Sequence, residues 1–144
     1  MAGYSKRSLV EKLGIKEGIS VRLINPPKNY LATLGKLPQG TQIKKDSRSP
    51  FPFIHSFFTK LADLEQQFPK LKKQLVPDGM LWVSWPKGSS KVPTDLNENV
   101  IRDVGLRNGL VDVKVCAVDD IWSGLKFVYR LSDREKVNTK TQSH

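Results

Sequence analysis

The chain has a single cysteine, Cys116, so it cannot close a disulfide within itself. That fits a reducing compartment. Its only histidines are His55 and His144, which leaves little material for imidazole acid–base chemistry. No Cys/His grouping has zinc spacing, so no metal site is expected. There is no Gly-x-x-x-x-Gly-Lys phosphate loop and no Gly-x-Ser-x-Gly elbow. Long apolar runs are missing too: none approaches the ~18 residues of a membrane span, and no apolar core follows the polar stretch Met1–Arg7. A cytoplasmic protein without a membrane segment is the expectation. Acidic residues are few. Lys and Arg number 24 against 14 Asp and Glu, giving a net charge of +10.

The excess is uneven. Residues 1–48 carry ten basic side chains against only Glu11, Glu17 and Asp46. Such a surface can attract nucleic acid or other polyanions, and it also keeps a small protein in solution. Lysines outnumber arginines, whereas a dedicated phosphate reader would favour arginine. Single-strand binders interleave aromatics with basic residues, and Lys44-Lys45-Asp46-Ser47-Arg48 beside Phe51 and Phe53 comes nearest to that pattern.

With 144 residues, the chain is long enough for one domain with a core that needs no metal or disulfide. Residues 1–131 are expected to form that domain, and polar 132–144 a disordered tail. The spacing predicts a helix over 5–13, closed by Gly14. A strand follows over 19–24, where Ile19, Val21 and Leu23 alternate with Ser20 and Arg22, and Asn25-Pro26-Pro27 stops it. A short helix over 28–34 and a weak strand over 41–45 come next. The strand at 51–58 should pair only in its later part, because Pro52 lacks an N–H.

The clearest helix covers 60–75. Leu61, Leu64, Phe68, Leu71 and Leu75 make one stripe, which Pro69 should kink or split. Val76-Pro77-Asp78-Gly79 reads as a turn into a strand over 80–85. A helix from Thr94, with that threonine as N-cap, runs to about Leu106. At 110–118, Val111, Val113, Val115 and Ala117 alternate with Asp112, Lys114 and Cys116. A final strand over 122–131 closes an antiparallel hairpin across Asp119-Asp120-Ile121. This alternation predicts a three-layer, Rossmann-like α/β domain with a mostly parallel sheet and a C-terminal antiparallel hairpin.

Two phrases resemble the class I S-adenosylmethionine-dependent methyltransferases. Leu13-Gly14-Ile15-Lys16-Glu17-Gly18-Ile19 resembles their entry into the first strand, and Leu75-Val76-Pro77-Asp78-Gly79-Met80-Leu81 the turn into their fourth. The terminal hairpin matches as well. That family follows its first strand with a glycine-rich loop, where close backbone approach requires residues without Cβ. Asn25-Pro26-Pro27-Lys28 stands there instead, with two donors fewer and a stiffer backbone. This argues against conventional binding of S-adenosylmethionine or NAD. Asp46 is the one residue placed to imitate an acidic ribose ligand, and a turn accounts for it better.

A second resemblance is to a family of small bacterial proteins that share a domain of unknown function. It is carried by Trp82-Val83-Ser84-Trp85-Pro86-Lys87, by Thr94-Asp95-Leu96 and by Val113–Asp119 continuing to Trp122–Phe127. It implies a bacterial, cytoplasmic setting and brings no activity with it.

In open parallel sheets, ligands sit beyond the carboxyl ends of the strands. By chain order that face gathers Asn25, Thr59, Trp85, Lys87, Asp119, Trp122 and Ser123. Two indoles, an ammonium and a carboxylate suit a planar or anionic small molecule. Equally, tryptophans at strand ends roof cores, and a Lys87–Asp119 surface pair would contribute little. His55 in its aromatic strand reads as a packed side chain, and Cys116 as an inert one. No catalytic residue stands out. The favoured reading is a non-catalytic small-molecule-binding or regulatory domain. The first alternative is a divergent methyltransferase-like enzyme, with Lys87 binding an anionic group and Asp119 orienting it. The second is a basic, nucleic-acid-associated protein.

Overall fold

Alternating apolar residues with a stop at each end build the strands, and the helices cover both of their faces. In a computed structural model, which describes residues 8–44 and 50–134, the order is α1 (Leu9–Leu13), β1 (Ser20–Ile24), α2 (Tyr30–Leu34), β2 (Gln42–Lys44), β3 (Phe51–Phe57), α3 (Leu61–Lys73), β4 (Leu75–Pro86), α4 (Glu98–Arg107), β5 (Leu110–Ala117) and β6 (Trp122–Tyr129). A 3-10 turn, Gly88–Ser90, lies between β4 and α4. The six strands form one sheet in the order β2-β1-β3-β4-β6-β5. β2, β1, β3 and β4 are parallel, and β6 enters antiparallel between β4 and β5. The mostly parallel Rossmann-like sheet with its antiparallel C-terminal pair is therefore as expected.

Strand alternation sorts the core into two layers. Phe53, Phe57 and Trp82 face Val10 and Leu13 of α1 and Tyr30 and Leu34 of α2. Ile54, Leu81, Val83, Leu125 and Phe127 face Leu64, Phe68 and Leu71 of α3 and Ile101 and Val104 of α4. Gly105 lets α4 lie directly on β6. A Cβ there would stand 2.0 Å from Cε1 of Phe127, so any side chain would push the layers apart.

Several local details differ from the sequence reading. Pro69 does not split α3, which runs through it to Lys73. Thr94 does not cap α4. Its hydroxyl donates to the Thr59 carbonyl and accepts from Leu96 N–H, so the helix starts three residues later, where Asn97 accepts from Val100 N–H. Asp95 caps α3 from outside the helix, accepting from Leu61 N–H at 2.8 Å. Val76–Gly79 is not a turn before a strand but an irregularity within β4. Phe51 pairs with Leu75, and then Phe53 pairs with Met80. Pro52 sits where the register shifts and lacks the N–H a regular ladder would use.

A second register shift, between Asp112 and Lys114, breaks the alternation expected of β5. It sends Asp112 to the α4 side, where Arg102 binds it, and Lys114 and Cys116 to the α1 side. Leu131, the last residue of the expected domain, and residues 132–134 of the expected tail form a helical turn after β6, and Arg134 Nε donates to the Tyr129 carbonyl. The rest of the tail, the first residues of the expected α1 and the Lys45–Ser49 stretch with Asp46 and Arg48 lie outside the described residues. Among the described residues, no helix is long and apolar enough to cross a membrane.

Candidate functional site

At the carboxyl ends of the two parallel strands β1 and β2 lies a cavity of about 290 Å³. Leu23, Pro26, Pro27, Lys28, Tyr30, Leu31 and Ile43 line it. Its walls are mostly apolar, and its volume stands at the lower end of the ~300–1,000 Å³ typical of small-molecule sites. The double proline that reads as a lost backbone cradle is here one wall of the cavity. Before it, Asn25 takes φ 55, a left-handed conformation usually left to glycine. Asparagine tolerates that region better than other side chains. Asn25 Nδ2 also donates to the Phe57 carbonyl at 3.3 Å, joining the ends of β1 and β3. The sharp exit that glycine would supply is thus made by Asn25.

Behind the cavity runs a buried polar chain. The Tyr30 hydroxyl lies 2.7 Å from His55 Nδ1, and His55 Nε2 lies 2.7 Å from Ser84 Oγ. Its links come from α2, β3 and β4. His55 and Ser84 are fully buried, and the imidazole stacks on Phe57 with centroids 4.3 Å apart. Burial lowers the His55 pKa to about 3 and raises that of Tyr30. Both groups are neutral near pH 7, so the chain is a set of hydrogen-bonded dipoles, with no charged acid or base. Tyr30 also meets Phe57 edge-on, and Phe57 meets Trp122 edge-on, at 5.2 and 5.1 Å. An aromatic path therefore leads from the cavity to the start of β6.

The structure separates some residues that the sequence reading grouped. Trp85 pairs with Ser123 and Pro86 with Trp122, so the two indoles lie on opposite faces of the sheet. Trp85 is buried under α3 and α4, whereas half-buried Trp122 packs toward Phe57. They cannot sandwich one ligand. Asp119 is occupied within the hairpin: its Oδ1 accepts from both Ile121 N–H and Trp122 N–H at 2.8 Å. Lys87 N–H donates to the Ile121 carbonyl at 2.7 Å, which fixes this lysine at the β4 end. The Thr59 carbonyl is held by Thr94, and Ser123 Oγ reaches the Cys116 carbonyl at 3.5 Å. Asn25, Thr59, Lys87, Trp122 and Ser123 do share the carboxyl-end rim. None of the seven nominated residues lines the cavity. Leu23, Tyr30 and Ile43 belong to a strand, a short helix and a weak strand that carry no site signal of their own, and Pro26 and Pro27 stand out in sequence only by the hydrogen bonds they lack.

No protein-family profile matches the chain, and no curated protein matches it. Solved structures do. A TehB-like S-adenosylmethionine-dependent methyltransferase from Corynebacterium glutamicum is 12% identical, with a TM-score of 0.55 over 85% of each chain. A methyltransferase of the same dependence from Aquifex aeolicus is 16% identical, with a TM-score of 0.52 over 83% of this chain and 86% of that one. Magnesium protoporphyrin IX methyltransferase from Synechocystis, solved with bound S-adenosylmethionine, is 11% identical, with a TM-score of 0.55 over 85% of this chain and 74% of that one. At these identities the likeness establishes the fold. It also corrects two expectations. Neighbours that are methyltransferases favour the enzyme alternative over a non-catalytic binding or regulatory domain. A neighbour holding S-adenosylmethionine on this fold overturns the doubt about that cofactor. The doubt rested on close backbone approach and on the N–H donors that Pro26 and Pro27 lack, whereas here the two prolines and Lys28 line a cavity and offer it side chains instead.

Proposed function

We propose that the chain is a divergent methyltransferase-like enzyme that takes S-adenosylmethionine at the carboxyl ends of β1 and β2. The observation that carries this reading is the cavity over Pro26 and Pro27 on a sheet of that topology. The residues present fit the cofactor. Apolar walls from Leu23, Ile43 and the prolines suit a nucleoside-sized group, and Lys28 offers an ammonium to a carboxylate. Prolines donate no backbone N–H, so shape and side chains would do most of the holding. When bound, the cofactor supplies a methyl group on a sulfonium, for transfer to a nucleophile that gives up a proton.

The chain's own part is orientation and exclusion of water. Tyr30 is fixed by His55, which Ser84 fixes in turn, so one cavity wall is tied to the centre of the sheet. Asn25, Thr59, Lys87, Trp122 and Ser123 then stand where a second reactant would approach. With this reading go a single α/β domain over 1–131 and a bacterial, cytoplasmic setting, supported by the resemblance of Trp82–Lys87 and Val113–Phe127.

Thermal unfolding and calorimetric titration with S-adenosylhomocysteine test the proposal. Ligand at 100 times Kd should stabilise the fold by about 2.7 kcal/mol. Leu31→Trp changes a cavity-mouth residue that is 56% exposed, so it should leave the fold intact and abolish the effect. A folded wild-type protein with neither heat nor a melting shift at ~1 mM ligand would rule the cofactor out.

A further inference from the structure

The α1 side of the sheet gathers lysines that face one another. Lys114 and Lys126 are cross-strand partners on β5 and β6, about 5 Å apart at Cβ. Lys16, in the link after α1, is close enough to act on the Lys126 ammonium. Lys114 Nζ reaches the Lys12 carbonyl at 3.2 Å, so α1 ends over the same spot. Like charges set directly opposite each other destabilise a sheet. Among the described residues, no carboxylate forms an ion pair with Lys16, Lys114 or Lys126. Lys126 is half-buried, and burial together with its two lysine neighbours lowers its pKa.

The opposite side of the sheet is arranged differently. There Arg102 bonds Glu98 and Asp112, and Arg107 bonds Asp103 and Glu65. On the α3/α4 side the two arginines are ion-paired, while Lys70 and Lys73 of α3 are exposed and spaced along one helix; what sets the α1 side apart is that its lysines face one another across β5 and β6. The asymmetry arises partly at the β5 register shift, which sends Asp112 to one face and Lys114 to the other.

We infer that Lys16, Lys114 and Lys126 form a docking surface for the phosphate backbone of a nucleic acid. Three compact ammonium groups neutralise phosphates as point charges, without the bidentate base reading that arginine brings, so binding is independent of sequence. A lipid surface fits less well. It calls for apolar side chains beside the lysines, and the exposed Val115 is paired with Leu125, on the α3/α4 side of the sheet. The inference stands apart from the cofactor cavity, so cofactor binding and this surface can fail separately.

Fluorescence anisotropy of a labelled 15-nucleotide oligothymidylate with the full chain, across ~20 to ~200 mM salt, tests it. Three lysine–phosphate contacts on a single strand give a log–log slope of about −2, at about −0.7 each. Lys114→Gln/Lys126→Gln should bring the slope to about −0.7 and weaken low-salt binding at least about tenfold. Lys16→Gln, at an exposed loop position, should remove one contact with no burden on the fold. Lys70→Gln/Lys73→Gln, on exposed positions of α3, removes the same net charge and should leave the slope near −2. Absence of binding at ~20 mM salt overturns the inference, as does equal loss in the two double variants. Binding to phosphatidylserine vesicles but not to the oligonucleotide overturns it in favour of a membrane.

Discussion

The Tyr30 hydroxyl and His55 Nδ1, 2.7 Å apart, tie the cavity wall to the middle of the sheet. Burial of this imidazole makes stability depend on pH in one direction. The folded protein holds His55 neutral, with its pKa lowered to about 3 by burial, whereas an unfolded histidine titrates near 6.5. Protons therefore bind the unfolded state more readily between these values. The contribution is fully present above about pH 6.5 and is lost as pH falls toward 3. A shift of this size corresponds to roughly 3–5 kcal/mol. Urea unfolding at pH 7, 6, 5 and 4 should show a falling midpoint for the wild type. His55→Gln, which retains one donor and one acceptor, should start lower and fall less. Parallel curves would mean that His55 is not the group responsible.

Removing only the hydroxyl separates holding the wall from being the wall. Tyr30→Phe leaves the ring in the cavity but takes the partner from buried His55 Nδ1. An unsatisfied buried group costs about 1–3 kcal/mol, so the denaturation midpoint should drop accordingly. Affinity for S-adenosylhomocysteine, measured by calorimetry well below the unfolding range, should change less than about threefold, because the apolar wall remains. Tyr30→Ala should lose both stability and affinity.

Element order was legible because periodicity reports which face of a segment is buried. The stripe Leu64, Phe68, Leu71 of α3 and the alternation in β1 needed no tertiary information. Features set by partners distant in sequence were not legible. Thr94 is a good N-cap residue whose hydroxyl was taken by Thr59, 35 positions away, and the cap passed to Asn97. The β5 register shift is invisible in a run whose valines and polar residues alternate perfectly. The candidate site divided in the same way. The carboxyl-end rim followed from strand direction alone, but the sides of Trp85 and Trp122 depended on register, and the cavity on two prolines acting as a surface.

Asn25 makes the next prediction, because its φ of 55 and its cavity-edge position act together. Asn25→Gly keeps the conformation and should leave stability within about 0.5 kcal/mol, though it gives up the bond to the Phe57 carbonyl. Asn25→Val asks a β-branched side chain to hold a left-handed turn and should cost about 1–3 kcal/mol. If the turn shapes the cavity, the glycine variant should bind S-adenosylhomocysteine nearly as the wild type does, and the valine variant at least about tenfold more weakly. Equal affinities in two folded variants would detach the turn from the site.

Asp119 separates a ligand-orienting carboxylate from a turn cap. One oxygen, Oδ1, takes both Ile121 N–H and Trp122 N–H, the two amides that lead into β6. Asparagine presents a neutral carbonyl oxygen at the same place, whereas alanine presents nothing. On the capping account, Asp119→Asn should unfold within about 0.5 kcal/mol of wild type, and Asp119→Ala should lose about 1–2 kcal/mol. The alanine variant should also alter the emission of Trp122, whose backbone N–H loses its acceptor and whose ring leans on Phe57. The opposite pattern would carry a different message. If Asp119→Asn folds normally but loses ligand affinity as severely as Asp119→Ala, the negative charge acts on the ligand, and Asp119 is a binding residue after all.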